Sequence, residues 1–131
     1  MYIKSLVTTV LIELVFTSCS AQSTANQTGM SFDNYLARIK NPAKLVLVDF
    51  NAVWCGPCKT LKPIVTRQEK KNSDKVELIE IDVDKNPQVA RTMNITGIPL
   101  LILYKQGKEV WRSMGLIDEN ELVGKLKQFT N

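Results

Sequence analysis

The sequence predicts an α/β domain in which helices flank a central mixed sheet of four strands. Residues 45–50 (LVLVDF) form a continuous apolar run, the pattern of a strand that is covered on both faces. Residues 76–82 alternate apolar and acidic side chains, as a second strand does, and helical spacing of apolar residues fills the segments between strands. Strands joined through a helix pair in parallel and strands joined by a tight turn pair antiparallel, so the sheet is expected to be mixed.

The first half of the domain is expected to hold one strand between two helices. Ser31 is a preferred N-cap residue, and apolar side chains at helical spacing follow it until an Asn-Pro pair ends the helix. After the strand at 45–50, a second helix is predicted to begin near Cys55. Pro63 lies inside this helix, where a proline kinks the backbone and removes one hydrogen bond.

The second half is expected to end in a hairpin and a helix. After the strand at 76–82, Pro87 occupies a permitted first position of a short helix. A strand at 100–105 is followed by a Gln-Gly turn and an antiparallel strand at 109–114. Asp118, with a glutamate three residues later, begins the last helix as a capping box does.

Length and composition exclude several classes of protein. The 131 residues suffice for one domain, and a hydrophobic fraction of 44% is enough for a packed core. The net charge of +4 comes from scattered lysines and arginines without a run typical of nucleic-acid binding, so no nucleic-acid partner is expected. The chain contains no histidine, which excludes histidine general bases and histidine metal ligands.

A pair of cysteines follows the first strand, in the motif WCGPCK at residues 54–59. Cys55 and Cys58 are spaced so that both fit on the first turn of a helix. The N–H groups and partial positive charge of a helix N-terminus favour a thiolate over a thiol. A free cysteine ionises near pH 8.5, and in such settings the pKa falls to roughly 3.5–7.5. The motif therefore predicts a dithiol that exchanges with other disulfides.

Two other readings of the cysteines are possible but weaker. A zinc site needs four ligands, and the only further cysteine is Cys19, in a different kind of segment. A purely structural disulfide between residues three apart closes so short a loop that it stabilises little. We therefore expect redox chemistry, with no metal and no bound cofactor.

The first 30 residues are expected to precede the domain, which would occupy residues 31–131. Residues 1–18 have a positively charged start, a short apolar stretch and a small-residue exit, the pattern of a secretory signal peptide. Cys19 would then begin a linking segment, residues 19–30. Within it, residues 20–29 are small, polar and uncharged, which is typical of a flexible tether.

Residues 16–19 (FTSC) resemble the lipobox of bacterial lipoproteins, in which the cysteine is lipidated. This predicts a lipid anchor on Cys19 and a location in the cell envelope, on the periplasmic side of a bacterial membrane. Three alternatives stay open. They are ordinary cleavage nearby, for instance after Ala21; a retained N-terminal helix, because Glu13 interrupts the apolar stretch; and a cytoplasmic protein.

Over residues 31–130 the chain resembles the thioredoxin family. The likeness is carried by WCGPCK after the first strand, by Gly97-Ile98-Pro99 before the hairpin, and by the segment DKNP at residues 84–87. It implies the thioredoxin fold.

The resemblance also implies a role for each residue of the site. Cys55 would be the exposed nucleophile, Cys58 the buried resolving thiol and Asp49 a buried carboxylate beneath them. Substrate would bind beside Trp54, Gly56, Pro57, Ile98 and Pro99, and a cis peptide bond would join Ile98 to Pro99. Two alternatives stay open: Asp49 as a partly solvated residue at a strand end, and Trp54 as an ordinary packing residue rather than a shield for the disulfide.

The chain departs from the family pattern at four places. Asn51 stands where a tryptophan is usual, and Leu100 follows the proline where threonine is usual. Glu80 replaces a lysine that often pairs with the buried aspartate, and would raise the pKa of Asp49 if the two lie close. The segment before Ser31 lacks an apolar strand, so a fifth strand at the sheet edge is doubtful.

The function predicted from these residues is thiol–disulfide oxidoreductase, reducing disulfides of protein substrates through Cys55 and Cys58. Gly56-Pro57 resembles reducing members of the family. In an oxidising compartment a reductant needs an electron supply, so a membrane electron donor or a thioredoxin reductase is an implied partner. The protein is expected to be a monomer. A disulfide oxidase or isomerase, or a redox-inactive module that binds extended peptides beside Pro99, are the alternatives.

Overall fold

A computed structural model describes residues 29–130, and their eight elements follow the predicted order. The elements are α1 (Phe32–Ile39), β1 (Leu45–Asn51), α2 (Gly56–Lys71), β2 (Val76–Asp82), α3 (Pro87–Thr92), β3 (Leu100–Lys105), β4 (Lys108–Met114) and α4 (Glu119–Thr130). The predicted signal peptide at 1–18, the anchor at Cys19 and all but the last two residues of the linking segment 19–30 lie outside the described residues.

The sheet has four strands in the order β2-β1-β3-β4. β1 pairs in parallel with β2 and antiparallel with β3, and β3 pairs antiparallel with β4, so the prediction of a mixed sheet is confirmed. Within residues 29–130 no strand precedes α1. The register of β1 and β2 places Asp49 opposite Glu80, as the sequence suggested.

Three short sequence signals, two helix caps and one hairpin turn, adopt the expected local structure. The hydroxyl of Ser31 accepts the N–H of Asn34 at 3.2 Å and caps α1. Gln106 and Gly107 make the turn of the β3–β4 hairpin with positive φ angles of 52° and 80°, a conformation that glycine adopts without strain. The carboxylate of Asp118 accepts the N–H three residues later at 2.9 Å, at the start of α4.

The core lies on both faces of β1, because alternate residues of a strand point to opposite sides. Val46, Val48 and Phe50 pack in the cluster that includes Tyr35 of α1. The other face of the sheet packs on α2 and α4, through the cluster of Leu45, Leu47, Leu61, Val65, Leu122 and Leu126. Asp49 alternates with Phe50 and therefore lies on the α2 side of the sheet, toward the helix that carries Cys58.

Candidate active site

The two cysteines of the motif lie at the N-terminus of α2 and are joined by a disulfide with an S–S distance of 2.04 Å. Cys55 is the N-cap residue, and its sulfur accepts the backbone N–H of Cys58 at 3.2 Å. Gly56 and Pro57 form the first turn of the helix between them and are exposed. When the disulfide is reduced, this N–H and the neighbouring free amides favour negative charge on Cys55.

The expected contrast in exposure between the cysteines is absent in the disulfide form. Cys55 is 4% exposed and Cys58 is 5% exposed, so the prediction of an exposed Cys55 is wrong for this state. The cause is local packing, since the disulfide lies against Ala52, Val83 and Ile98. What distinguishes the two sulfurs is their place on the helix: Cys55 caps α2, whereas Cys58 lies inside its first turn.

Asp49 is buried beneath the redox pair, with 1% of its surface exposed. The alternative of a solvated aspartate at a strand end is therefore wrong. The pKa of Asp49 is raised to about 6, mainly by burial. The charge of Glu80 adds to this rise, whereas a hydrogen bond from Asn51 and the charge of Lys62 oppose it. A carboxyl group with a pKa near 6 can take up and release a proton close to neutral pH.

Asp49 and Cys58 line the same cavity, of about 370 Å³, which we call the Asp49 cavity. Lys62 and Glu80 also line it, and they form an ion pair with 2.8 Å between Nζ and Oε1. The cavity thus joins the buried sulfur, the buried carboxyl group and two opposite charges. It gives a proton released at Cys58 a nearby acceptor.

The remaining residues predicted to bind substrate are Trp54, Ile98 and Pro99. The peptide bond between Ile98 and Pro99 is cis, as the resemblance implied. Pro99 is buried and Ile98 is half-buried. Trp54 is 69% exposed and its indole N–H donates to Asp84 at 2.8 Å, so it is not an ordinary packing residue. Trp54 and Ile98 line a small groove, while the apolar cover of the disulfide includes Val83 and Ile98.

The comparison with known families decides which family this is. The chain matches the family model of thioredoxin over residues 24–128. It belongs to the thioredoxin family. Its Cys55–Cys58 disulfide lies at the N-terminus of α2, where the thioredoxin motif predicts it. The protein is therefore a thiol–disulfide oxidoreductase that acts on protein disulfides.

Curated thioredoxins from bacteria and plants are similar in sequence. Thioredoxin from Chlamydia muridarum is 44% identical over 94 residues, which cover 72% of this chain and 89% of the relative. Thioredoxin from Rickettsia prowazekii is 38% identical and covers 75% of this chain and 90% of the relative. Chloroplastic thioredoxin Y from Oryza sativa is 37% identical over 77% of this chain, which spans only 58% of that longer relative.

Solved thioredoxin structures share the fold. A mutant thioredoxin from Halobacterium salinarum superposes with a TM-score of 0.70 at 30% identity, over 79% of this chain and 88% of its own. Oxidised mitochondrial thioredoxin 3 from Saccharomyces cerevisiae gives a TM-score of 0.66 at 29% identity, over 74% of this chain and 89% of its own. The fold prediction from the sequence is therefore confirmed.

Sequence reasoning missed two residues of the site. In the sequence, Asn51 stands out only as a replacement for tryptophan, whereas in the structure its side-chain amide donates to Asp49. Lys62 has no distinguishing feature of its own in the sequence, although it is four residues after Cys58 on α2 and so lies on the same face of the helix. That spacing, read together with Glu80 on the neighbouring strand, was the available signal.

Two further observations concern metals and membranes. Among residues 29–130, no three acidic, cysteine or histidine side chains lie close enough together to hold a metal ion. In the same part of the chain, no helix has the length and apolar character needed to cross a bilayer.

Proposed function

We propose that this protein is a reductase of protein disulfides that works on the periplasmic side of a bacterial membrane, held there by a lipid on Cys19. The observation that carries the reductase part is the Cys55–Cys58 pair at the N-terminus of α2, with buried Asp49 in the cavity beside it. The part concerning location is supported by the sequence of the first 30 residues.

The reaction begins with the reduced pair. The Cys55 thiolate attacks one sulfur of a substrate disulfide, the substrate S–S bond breaks, and the other substrate sulfur leaves as a thiolate that takes a proton. Cys58 then gives up its proton to Asp49 and attacks the sulfur of Cys55. The mixed disulfide breaks, and the second substrate sulfur leaves as a thiolate that takes a proton from water. The substrate is thereby released as a dithiol, and the pair Cys55–Cys58 is oxidised by two electrons.

The substrate surface beside the pair fits this reaction. Trp54 and Val53, which directly precede Cys55, are 69% and 71% exposed. They offer contact to an unfolded or extended segment that presents its disulfide.

Continued turnover needs a source of two electrons. In an oxidising compartment that source is a membrane electron donor, and in a reducing one it is a thioredoxin reductase. The lipid anchor would keep the domain close to a membrane donor, and a tether of the composition of residues 20–29 would let it turn toward both donor and substrate. One acyl chain binds only marginally, so stable anchoring requires several.

The reduction potential of the purified protein tests the direction of the reaction. Equilibration with glutathione at pH 7 is expected to give a potential below about −230 mV, in the range of reductants. The fraction of oxidised pair is measured by trapping free thiols with a mass tag. A potential above about −180 mV would instead identify an isomerase or an oxidase.

Replacing Cys19 with alanine tests the location. The cell-associated protein is expected to fractionate with membranes, and Cys19→Ala is expected to release it or to stall its processing, because the acylated residue is lost. Ser23→Ala, in the tether, is the matched control and should leave the membrane fraction unchanged. If Cys19→Ala stays in the membrane fraction with normal processing, a retained helix or a protein partner holds the domain instead.

A further inference from the structure

The two oxygens of Asp49 have different surroundings. The side-chain amide of Asn51 lies 3.4 Å from Oδ2 of Asp49 and 3.2 Å from the backbone oxygen of the same residue. One amide group carries two hydrogens, so it can donate to both. Oδ1 is buried and has no hydrogen-bond partner among the described residues. A buried polar atom without a partner is costly, so its availability calls for a functional explanation.

The charges that face Asp49 come from two elements and one loop. They are Glu80 and Asp82 on β2, Lys59 and Lys62 on α2, and Lys85 in the loop after β2. On the other side, β3 places Leu101 opposite Asp49. Lys85 forms an ion pair with Asp82, with 3.9 Å between Nζ and Oδ2. The closest contact is the 2.8 Å ion pair between Lys62 and Glu80.

We propose that Asn51 and Lys62 are positioning residues for the attack of Cys58 on the mixed disulfide, an inference that rests on the proposed reductase function. Asn51 holds Oδ2 of Asp49 and leaves Oδ1 to receive the proton of Cys58. Lys62 holds Glu80 and offsets its negative charge, so that Asp49 remains ionised until that proton arrives.

The resolving step defines what these two residues must do. The S–H bond of Cys58 breaks and the proton moves to Oδ1 of Asp49, while the sulfur forms a bond with Cys55. The bond between Cys55 and the substrate sulfur breaks, and the substrate leaves with the electron pair. Asp49 then returns the proton to water that enters the cavity. A protonated Asp49 cannot start this sequence.

The electrostatic effects of the neighbours have opposite signs. The hydrogen bond from Asn51 and the charge of Lys62 lower the pKa of Asp49, and the charge of Glu80 raises it. Losing either Asn51 or Lys62 therefore leaves more of Asp49 protonated at neutral pH. Lys62 on α2 and Asn51 at the end of β1 thus keep the buried carboxylate of Asp49 ionised.

The test is a titration of Asp49 itself. Oxidised full-length protein, labelled with ¹³C at aspartate carboxyl groups, is titrated by NMR from pH 4 to pH 9. Asn51→Leu keeps the side-chain shape but removes both N–H donors, and Lys62→Gln removes the charge. Each is expected to raise the Asp49 midpoint by about 0.5 pH unit or more. Asn51→Ala serves in place of Asn51→Leu if the latter does not fold.

Matched variants separate this effect from a change in packing. Lys62→Arg is expected to restore the wild-type midpoint, and Lys70→Gln, in an exposed residue about two turns further along α2, is expected not to move it. In stopped-flow measurements, the rate at which Cys58 resolves a mixed disulfide on Cys55 should shift its pH profile to higher pH in Asn51→Leu and in Lys62→Gln. An unchanged midpoint in Asn51→Leu removes Asn51 from the proposal, and an unchanged midpoint in Lys62→Gln removes Lys62. Unchanged midpoints in both of these variants overturn the proposal.

The same experiment distinguishes this inference from the proposed function. If the wild-type protein fails to reduce insulin with dithiothreitol as electron source, the reductase function is wrong whatever the midpoints are. If it reduces insulin but Asn51→Leu and Lys62→Gln titrate like wild type, only the positioning roles are wrong.

Discussion

Replacing Cys58 with serine is expected to stop turnover after the first exchange and to leave substrate attached to Cys55 through a disulfide. Serine cannot attack a disulfide under these conditions, and the hydroxyl keeps the size of the buried side chain. Insulin reduction should fall to the background of dithiothreitol alone. Non-reducing electrophoresis and mass spectrometry of the reduced variant mixed with an oxidised peptide should show one adduct within residues 31–131, at Cys55.

The reciprocal variant, Cys55→Ser, tests the assignment of the two cysteines. It is expected to form no adduct at Cys58, because that thiol lies inside the helix while Cys55 caps it. In the reduced wild type, iodoacetamide at pH 7 should accordingly modify Cys55 first. Faster modification of Cys58, or adducts on it, would reverse the assignment. A binding module would give a different pair of results. The double variant Cys55→Ser, Cys58→Ser would still bind peptide, and the wild type would not reduce insulin.

The fold was predictable because local signals and hydrophobic patterns agree along the domain. The run at residues 45–50 is buried along its whole length, as a central strand between two layers requires. Ser31 and Asp118 cap the helices that their types and positions indicate. The hairpin follows from Gln106-Gly107, where positive φ angles suit a two-residue turn. These signals act over a few residues and therefore appear in a single sequence.

The site was predictable only in part. Cys55, Cys58 and the burial of Asp49 follow from the motif and from an acidic residue inside an apolar strand. The prediction that Cys55 is exposed was wrong for the disulfide form. Its burial depends on packing against Val83 and Ile98, which come from distant parts of the chain. The same limit hid Lys62, whose importance depends on its ion pair with Glu80 across two elements. Such pairings become visible only when the strand register and the helix position are known.

Asp49→Asn is expected to make the fold more stable at neutral pH. Asp49 has a pKa of about 6 in the folded protein, raised mainly by burial, against 3.8 for a solvated side chain. Between these values the folded state binds more protons than the unfolded state, so stability falls as the pH rises from about 4 to about 6. The loss is about 3 kcal/mol, it persists above pH 6, and asparagine avoids it.

Chemical denaturation at several pH values measures this effect. The gain in the free energy of unfolding should approach about 3 kcal/mol at pH 7 and vanish near pH 3, where wild-type Asp49 is neutral in both the folded and the unfolded state. Asp74→Asn is the matched control, because Asp74 is exposed, and it should change stability little at any pH. A gain of equal size at pH 3 and pH 7 would show that packing, and not ionisation, is responsible.

The same substitution is expected to slow the resolving step, because Cys58 loses the group that takes its proton. General base catalysis contributes typically 10²–10⁴-fold, and the loss should lie near the lower end, on the order of 10²-fold. The reason is the size of the Asp49 cavity, about 370 Å³, which lets water take part as a weaker base. Single-turnover rates of mixed-disulfide resolution measure this loss. If the Asp49→Asn variant is destabilised and resolves the mixed disulfide at the wild-type rate, Asp49 is a structural residue. If the variant is more stable and resolves more slowly, the fold tolerates an unfavourable buried charge because the reaction uses it.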